Sequence, residues 1–466
     1  MPVEGLLDRR DLLRVGSLTI AASAMPAQLA LAAPSPSGAG KAKSVIYLWM
    51  AGGVTHIDSF DPKPLAPVEI RGTLTDIPTK LPGVRFCETI PQLAKIADQL
   101  AVLRSYSHDS DDHLISQVYT LSGRKVGANQ LFSEPNLGSI ISHLQGSRGG
   151  LPGYIAVPGF TRPGPPPHNL FVPAWLGRQH APYCLLPDHE DFAVGKKLYD
   201  PPARADESLT PHSISLSTEV TLARLHERAQ LRDRFDAALR QLDKLDNVRG
   251  LAAQQQNALR LLSTPNVRDA FDLATEPEKT RETYGRTKIG GRCLMARRLV
   301  EAGARFVMVD YGYDPDYGNV WDNHNAAVQN HPPIQQMCKR GYHLAGMDQA
   351  FAALITDLQE RGLLETTLVV FITEFGRTPR INAQGGRDHW GAAGSLFFTG
   401  GGVRTGQVIG ETDHHAARPT THPYTPADVA ASIYAALGVK HTSFVQDIEQ
   451  RPRPILDRGE PIPELF

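Results

Sequence analysis

The chain has 466 residues, of which 41% are hydrophobic and 21% charged, so it can bury the core of one large α/β domain or two ordinary domains. Its 48 basic and 49 acidic residues leave a formal net charge of -1, with no tract of basic residues interleaved with aromatics. This balance argues against a nucleic-acid partner. The four cysteines lie far apart without a C-x-x-C pair, which argues against a zinc knuckle or a dithiol redox motif.

The N-terminus resembles a twin-arginine export signal. A pair of arginines lies in "DRRDLLRVG" (8–16), an Ala-rich apolar stretch follows, and a small-x-small cleavage pattern ends near Ala33. The alternative is a short amphipathic helix. The resemblance predicts a signal peptide over 1–33, export of the folded chain by the twin-arginine machinery, and a periplasmic or cell-envelope location. No later run is long and apolar enough to span a bilayer, so we predict no transmembrane helix in the mature chain.

Strands and helices alternate along most of the chain after a Ser/Gly/Lys linker (34–43). Apolar runs predict strands, and amphipathic segments with start and stop signals predict helices. The predicted strands are 44–50, 100–105, 153–158, 304–312, 366–376 and 395–402, and the predicted helices are 91–99, 112–123, 288–302, 342–361 and 426–438. We assign these to one α/β domain over 44–446, interrupted by an irregular Pro/Gly/His-rich excursion (160–211) and a helical insertion (213–262), and followed by a C-terminal tail (447–466).

This alternation predicts a mostly parallel sheet with helices on both faces, in which functional groups lie beyond the carboxyl ends of the strands. The loops that follow the predicted strands each carry carboxylates together with imidazoles. These groups are His56, Asp58 and Asp61 with Lys63; His108, Asp109, Asp111, Asp112 and His113; Asp314, Asp316, Asp322 and His324; Glu374, Asp388 and His389; and Asp413, His414, His415 and His422. Such mixed oxygen and nitrogen donors suit zinc or manganese, whereas oxygen donors alone suit calcium or magnesium. We therefore expect a divalent cation, namely zinc, manganese or calcium.

Structural roles are open for several of these residues. Asp111 or Asp112 can cap the following helix. Asp61 can be a turn residue that pairs with Lys63 in solvent. Arg377 can be the cation that neutralises Glu374, which would make a plain structural ion pair.

Several motifs together resemble the bacterial family called domain of unknown function 1501. The motifs are "GGVTHIDSFDPKP" (52–64), "WDNHN" (321–325), "TTLVVFITEFGRTPRIN" (366–382), "GGRDHWGAAGSLFFTGGGVRTGQVIGETD" (385–413) and "TPADVAASIYAALG" (425–438). That family is grouped with the alkaline phosphatase and sulfatase superfamily. The resemblance implies a three-layer α/β/α sandwich with a metal site at the carboxyl edge of the sheet, which hydrolyses anionic phosphate or sulfate esters through a metal-activated nucleophile.

Carried over to this chain, the superfamily pattern implies metal ligands, substrate-binding cations and catalytic groups. The metal ligands are Asp58, Asp61, Asp322, His324, Glu374, Asp388, His389 and His422, and the substrate-binding cations are Lys63, Arg377 and Arg387. Two departures matter. His113 stands where the sulfatase nucleophile would be, and "TEFG" replaces Asp-His-Gly, so that Phe375 stands in place of a metal-binding histidine.

These departures leave three hypotheses open. The protein is a hydrolase with one cation, an activated water and no covalent intermediate; or its site is rebuilt around His108, Asp109 and His113 as ligands or general base; or it is a non-catalytic envelope protein that binds an anionic polymer or a protein partner. The hydrolase hypothesis predicts that one set of side chains converges. That set is Asp58, Asp322, His324, Glu374, Asp388 and His389.

Overall fold

The structure is a computed structural model that describes residues 39–159, 170–185 and 264–466, apart from 315, 326–327 and 330, together with the isolated positions 209, 227, 256–257 and 260–261. The predicted signal peptide, the first half of the predicted linker (34–38) and most of the predicted excursion and helical insertion lie outside the described residues. Among the described residues, no helix is long and apolar enough to cross a membrane.

A mixed sheet forms the centre of the described fold. In chain order the strands are β1 (Ser44–Trp49), β2 (Asp76–Pro78), β3 (Arg85–Cys87), β4 (Ala101–Tyr106), β5 (Tyr154–Val157), β6 (Tyr183–Cys184), β7 (Phe306–Asp310), β8 (Tyr313–Asp314), β9 (Gly318–Asn319), β10 (Thr367–Ile372), β11 (Gly376–Arg377), β12 (His389–Trp390), β13 (Gly394–Gly400), β14 (Gln407–Ile409), β15 (Phe444–Gln446) and β16 (Pro452–Pro454). Eight strands form the central sheet in the order β14-β4-β13-β10-β1-β7-β5-β6. Only β13 runs against the other strands of this sheet.

The helices lie on both faces of that sheet. They are α1 (Val68–Arg71), α2 (Pro91–Lys95), α3 (His113–Ser122), α4 (Leu137–Gln145), α5 (Pro265–Ala270), α6 (Glu278–Thr283), α7 (Lys288–Glu301), α8 (Ile334–Met337), α9 (Leu344–Glu360) and α10 (Pro426–Ala436). Three-residue 3-10 helices lie at Ala97–Gln99, Ala128–Gln130, Ala174–Leu176, Arg178–His180, Leu273–Thr275, Leu364–Thr366 and Pro463–Leu465.

Alternation along β1 explains the layers, because successive side chains of a strand point to opposite faces. Ile46 and Leu48 belong to a core cluster that includes α7 and α9, whereas Val45, Tyr47 and Trp49 belong to a second cluster that includes α4 and α10. Every residue of β1 is buried. A sheet that is apolar on both faces needs a helical layer on each side, so the predicted three-layer α/β/α sandwich is confirmed.

The register of the central strands brings their carboxyl ends to one edge. Trp49 of β1 lies opposite Ile372 of β10 and Asp310 of β7. The segments that follow these strands therefore emerge side by side, and α3 begins nearby after β4. This edge is the one at which the sequence predicted functional groups.

The structure differs from the expected elements in two places. The predicted strand 366–376 is two strands, because β10 ends at Ile372 and β11 pairs antiparallel with β12. The predicted tail is part of the fold: β15 pairs with β16, and Ile462, Leu465 and Phe466 are buried in the second core cluster.

The buried carboxylate of Asp348 on α9 gives a testable prediction about the contact between α9 and α2. Asp348 accepts hydrogen bonds from the backbone N–H groups of Gln92, at 2.8 Å, and Leu93, at 2.7 Å, in the first turn of α2. Burial raises the pKa of the Asp348 carboxyl to about 7, although the two backbone hydrogen bonds act in the opposite direction. In the unfolded chain this pKa is about 3.9.

The folded chain therefore binds more protons at Asp348 than the unfolded chain between about pH 4 and about pH 7, and its stability falls as pH rises through that window. We expect Asp348→Asn to remove this part of the pH dependence, since the amide oxygen still accepts a hydrogen bond and does not titrate. The measurement is the free energy of urea unfolding across the window. A variant with the same pH dependence as the wild type would contradict the prediction.

Candidate metal centre

Glu374 is the carboxylate that follows β10, and it is completely buried. The backbone N–H of Gly52, just after β1, lies 2.8 Å from its Oε1 and 2.9 Å from its Oε2. Oε1 also accepts from Gln117 Nε2 at 2.8 Å and lies 2.8 Å from Nδ1 of His113. Burial acts to raise the pKa of this carboxyl, but the hydrogen bonds and charge of His113, with Gln117 and Gly52, outweigh it and hold the pKa below its usual range.

His113 is the first residue of α3, and its ring lies between two carboxylates. The preceding Asp112 caps the helix by accepting from the N–H of Ile115 at 2.9 Å, as one alternative reading expected. Beyond the Nδ1 contact with Glu374, Nε2 lies 3.2 Å from Oδ1 of Asp322. This buried Nε2 has no aligned hydrogen bond. Burial lowers the pKa of His113, but Asp322 and Glu374 more than offset it and raise the pKa to about 9.

Asp322 lies in the segment after β9 and is the shared centre of the cluster. The preceding Trp321 anchors that segment, because its indole N–H donates to the carbonyl of Tyr311 at 2.7 Å. Oδ1 of Asp322 lies 3.1 Å from Nε2 of His389 and 3.0 Å from a guanidinium nitrogen of Arg377. Burial acts to raise the pKa of this carboxyl, but its contacts with His113, His324 and His389 and the charge of Arg377 hold the pKa well below its usual range.

His389 completes the cluster from β12. Its Nδ1 lies 2.9 Å from the carbonyl of Asp111, which can only accept, so Nδ1 is the donor in this contact and Nε2 is the nitrogen that faces Asp322. The ligand atoms of His113, Asp322 and His389 all lie within 4.8 Å of one another. This trio is the group of histidines, cysteines and carboxylates with metal-binding spacing among the described residues.

A divalent cation fits this trio. In both His113 and His389, Nδ1 contacts an acceptor outside the trio, which is Glu374 for His113 and the carbonyl of Asp111 for His389. Nε2 of each ring faces Asp322. Histidines that bind metals commonly donate their second N–H to a carboxylate or a backbone carbonyl, which fixes ring and tautomer. The buried Nε2 of His113 without an aligned hydrogen bond is the atom that a cation would satisfy. Two imidazole nitrogens and one carboxylate suit zinc or manganese better than calcium.

The family comparison agrees with the motifs at this edge. The family model described as a protein of unknown function, DUF1501, matches residues 42–466. The chain belongs to this family. None of the curated proteins matches this sequence.

Solved structures similar to this DUF1501 protein share little sequence with it. One is Ps i-CgsB in complex with k-i-k-neocarrahexaose, with 11% identity over 85% of this chain and 72% of that chain and a TM-score of 0.38. Another is the lipoteichoic acid synthase LtaP from Listeria monocytogenes, with 9% identity over 87% and 74% and a TM-score of 0.35. A third is the phosphonate monoester hydrolase SpPMH from Silicibacter pomeroyi, with 9% identity over 85% and 73% and a TM-score of 0.34.

Phe375 forms an apolar wall against the two histidines of the DUF1501 cluster. Its ring centroid lies 5.0 Å from that of His113 and 5.0 Å from that of His389, stacked on the latter. The next residue is a glycine for a steric reason. A Cβ on Gly376 would lie 2.1 Å from the carbonyl oxygen of Ala393 and 2.4 Å from Nδ1 of His56.

Arg377 is buried and braces the loops around the cluster. Its guanidinium donates to the carbonyls of Gly53 at 2.9 Å and Trp321 at 3.0 Å, to the carbonyl of Gly52, and to Asp322 at 3.0 Å. It therefore pairs with Asp322 rather than serving as a plain counter-ion of Glu374. With all these groups satisfied inside the protein, it is not exposed to a substrate, in contrast to the role that the resemblance implied.

Arg387 forms a second buried pair, with Asp58. Its Nε lies 2.8 Å from Oδ2 and its second terminal nitrogen lies 3.0 Å from Oδ1, which is bidentate geometry. Thr55 donates to the same carboxylate at 2.7 Å. Burial acts to raise the pKa of Asp58, but the charge and hydrogen bonds of Arg387 outweigh it and lower the pKa. The structure thus gives Asp58 a guanidinium partner and keeps Arg387 away from a substrate.

The other predicted site residues lie around the cluster but outside the trio. His324 borders it, with Nε2 3.5 Å from Asp322 Oδ1 and a side chain that is 39% exposed. His108 holds the backbone carbonyl of Glu374 through Nε2, at 2.6 Å, and accepts from the N–H of Ser110 through Nδ1, at 3.3 Å. Both of its ring nitrogens are therefore engaged, so it offers no free base in this arrangement.

The remaining candidate residues interact with neighbouring side chains outside the trio. Asp109 is exposed and forms an ion pair with Lys125. Asp61 is buried with Lys63 at 3.0 Å, Arg104 at 3.5 Å and the hydroxyl of Thr412. Asp388 is exposed and accepts from Asn382 at 2.9 Å, and the exposed His422 packs edge-on against Tyr424.

The predicted convergence is therefore partial. Asp322, His324 and His389 meet directly, and Glu374 joins them through His113, whereas Asp58 and Asp388 have other partners. The sequence reasoning missed Gln117, the amide of Gly52 and the carbonyl of Asp111. Gln117 could have been found from helical spacing, because it lies four residues after His113 on the same face of α3.

The Asp58–Arg387 pair gives a stability prediction. Removing one partner of a buried ion pair leaves an uncompensated charge and costs about 3–5 kcal/mol, whereas replacing both partners is much less costly. We expect Arg387→Met to lower the free energy of unfolding by that amount and Asp58→Asn in the same chain to restore most of it. The exposed Arg404 supplies the control, since Arg404→Met should change stability by less than about 0.5 kcal/mol. Additive single-variant effects in denaturant unfolding would contradict the prediction.

Proposed function

We propose that this protein is an exported metal-dependent hydrolase of phosphate or sulfate esters, which holds one divalent cation between His113, Asp322 and His389. The observation that supports it is the convergence of their ligand atoms within 4.8 Å at the carboxyl edge of the sheet. These residues come from three different parts of the chain, and each imidazole is oriented by an acceptor behind it. An arrangement fixed in this way suits metal binding better than a random surface cluster of acidic groups does.

The surrounding side chains fit ester hydrolysis by water. When bound, the cation would polarise the ester oxygen and acidify a water molecule. Phe375 keeps solvent away from one side of both imidazoles. His324, which is partly exposed beside Asp322, is in a position to accept a proton from an attacking water on the open side of the cluster. His113 stands in register with the sulfatase nucleophile but is directed towards Asp322, which favours attack by water over a covalent intermediate.

The buried Arg387 also supports a site that holds one cation rather than two. The resemblance implied that Asp58 binds a metal, but its carboxylate already has the bidentate Arg387 guanidinium as counter-charge. The hypothesis of a non-catalytic protein that binds an anionic polymer expected a cleft lined by arginines and lysines. Arg377 and Arg387 are both buried and paired, which weighs against that alternative.

Metal content tests the proposal directly. We expect purified protein to bind about one equivalent of zinc or manganese by elemental analysis, and to hydrolyse nitrophenyl phosphate or nitrophenyl sulfate. His389→Ala should lower the metal affinity by more than about 100-fold and abolish turnover, because a direct ligand is lost. His441→Ala is the matched control, since that histidine pairs with Glu460 away from the cluster. Metal-free wild-type protein that hydrolyses neither ester after zinc or manganese is added would overturn the proposal.

Export is the second part of the proposal, and it is supported by the arginine pair in "DRRDLLRVG". Twin-arginine signals depend on both arginines, so Arg9→Lys with Arg10→Lys should retain the chain in the cytoplasm of a bacterial host. Cell fractionation and immunoblotting measure the outcome. Arg14→Lys is the control and should still be exported. Equal export of the double variant and the wild type would rule out this route.

A further inference from the structure

We propose that Glu374 is a positioning residue, which holds the His113 ring with Nε2 towards the cation and does not itself bind the cation. The resemblance implied a direct ligand at this position. The inference rests on the proposed metal site and assigns a different role to the carboxylate beside it. Three features of the structure carry it: the side of the imidazole on which Glu374 lies, the saturation of its oxygens, and the matching arrangement behind His389.

The position of Glu374 follows from the shape of an imidazole ring. The two ring nitrogens point in different directions, and in His113 one contacts Glu374 at 2.8 Å while the other contacts Asp322 at 3.2 Å. Asp322 belongs to the trio with metal-binding spacing, and Glu374 does not. Glu374 therefore lies behind the ring, on the side away from the proposed cation.

The carboxylate oxygens of Glu374 are already used. Oε1 is within 2.8 Å of the donors on Gly52, Gln117 and His113. Oε2 shares the Gly52 N–H at 2.9 Å and lies 3.2 Å from the Thr373 hydroxyl, which also lies 2.9 Å from the carbonyl of Met50. A carboxylate offers about four lone-pair positions, so little capacity is left for a metal ion. The N–H groups of Gly52 and Gln117 already donate to Oε1, so the carboxylate is the acceptor and Nδ1 of His113 is the donor, and Nε2 is the ring nitrogen on the side of the proposed cation.

His389 has the same arrangement with a weaker acceptor. Its Nδ1–H donates to the uncharged carbonyl of Asp111, whereas Nδ1–H of His113 donates to an ionised carboxylate. A carboxylate behind a metal-binding histidine raises the basicity of the ligating nitrogen as well as orienting the ring. Glu374 should therefore tune the affinity of the site through His113, and Gln117, which donates to Glu374, should support it.

Titration with Co²⁺ tests this role without relying on turnover. The visible absorption of bound Co²⁺ reports the number and type of ligands, and its dependence on concentration gives the affinity. We expect Glu374→Gln to weaken Co²⁺ binding about 10- to 100-fold and to leave the intensity of the visible bands unchanged, because no ligand is lost. Glu365→Gln, at an exposed position, is the matched control and should bind like the wild type.

A second variant tests the same inference if Glu374→Gln does not fold. Gln117→Met removes one donor to Glu374 and leaves every proposed ligand in place, so it should also weaken Co²⁺ binding, by up to about 10-fold, with an unchanged spectrum. Either variant with wild-type affinity would overturn the inference. Weaker binding of Co²⁺ to Glu374→Gln with altered band intensity would also overturn it, since that identifies Glu374 as a ligand. Wild-type protein that binds no Co²⁺ would instead overturn the proposed metal site as a whole.

Discussion

The buried carboxylate of Glu374 connects the parts of the chain on which the candidate site depends. It receives the Gly52 amide after β1, follows β10 itself, and contacts His113 at the start of α3. A fully buried carboxylate is stable only while its donors remain in place, because an uncompensated charge in the protein interior is very costly. The loop after β1 and the first turn of α3 are therefore held in fixed positions relative to the end of β10. The placement of His113 is a consequence of this constraint.

Charges alternate outward from Glu374. The carboxylate is followed by the His113 imidazole, then by the Asp322 carboxylate, and then by the Arg377 guanidinium. Each negative group has a positive or protonated neighbour, so the cluster is stable although nearly all of it is buried. Arg377 extends the arrangement by binding the backbone carbonyls of Gly53 and Trp321, which joins the loops after β1 and β9. The same contacts that neutralise Asp322 thus also determine where it lies.

The sequence was sufficient for the sandwich, because apolar runs of strand length and amphipathic helices report burial directly. It also predicted which edge of the sheet carries polar groups, and it selected Asp322, His324, Glu374 and His389. It could not predict the partners. Asp58 and Arg387 are separated by 329 residues, and only the folded chain brings them together. Likewise, the spacing of residues does not reveal that Glu374 contacts Nδ1 of His113, the ring nitrogen on the side away from the trio. That one contact changes the role proposed for Glu374 from metal ligand to positioning residue.

Phe375 and the Asp58–Arg387 pair are two places where the structure differs from the metal binding that the resemblance implied. A second cation near Asp58 would require that carboxylate to be free, and the resemblance implied a histidine at position 375 to help bind metal. Phe375 has no donor atom, and its ring instead packs on His113 and His389. Without a cation nearby, Asp58 would be an uncompensated buried charge, and Arg387 supplies that cation from within the chain. Neither position therefore offers a free ligand atom, and the ligand atoms that converge are those of His113, Asp322 and His389.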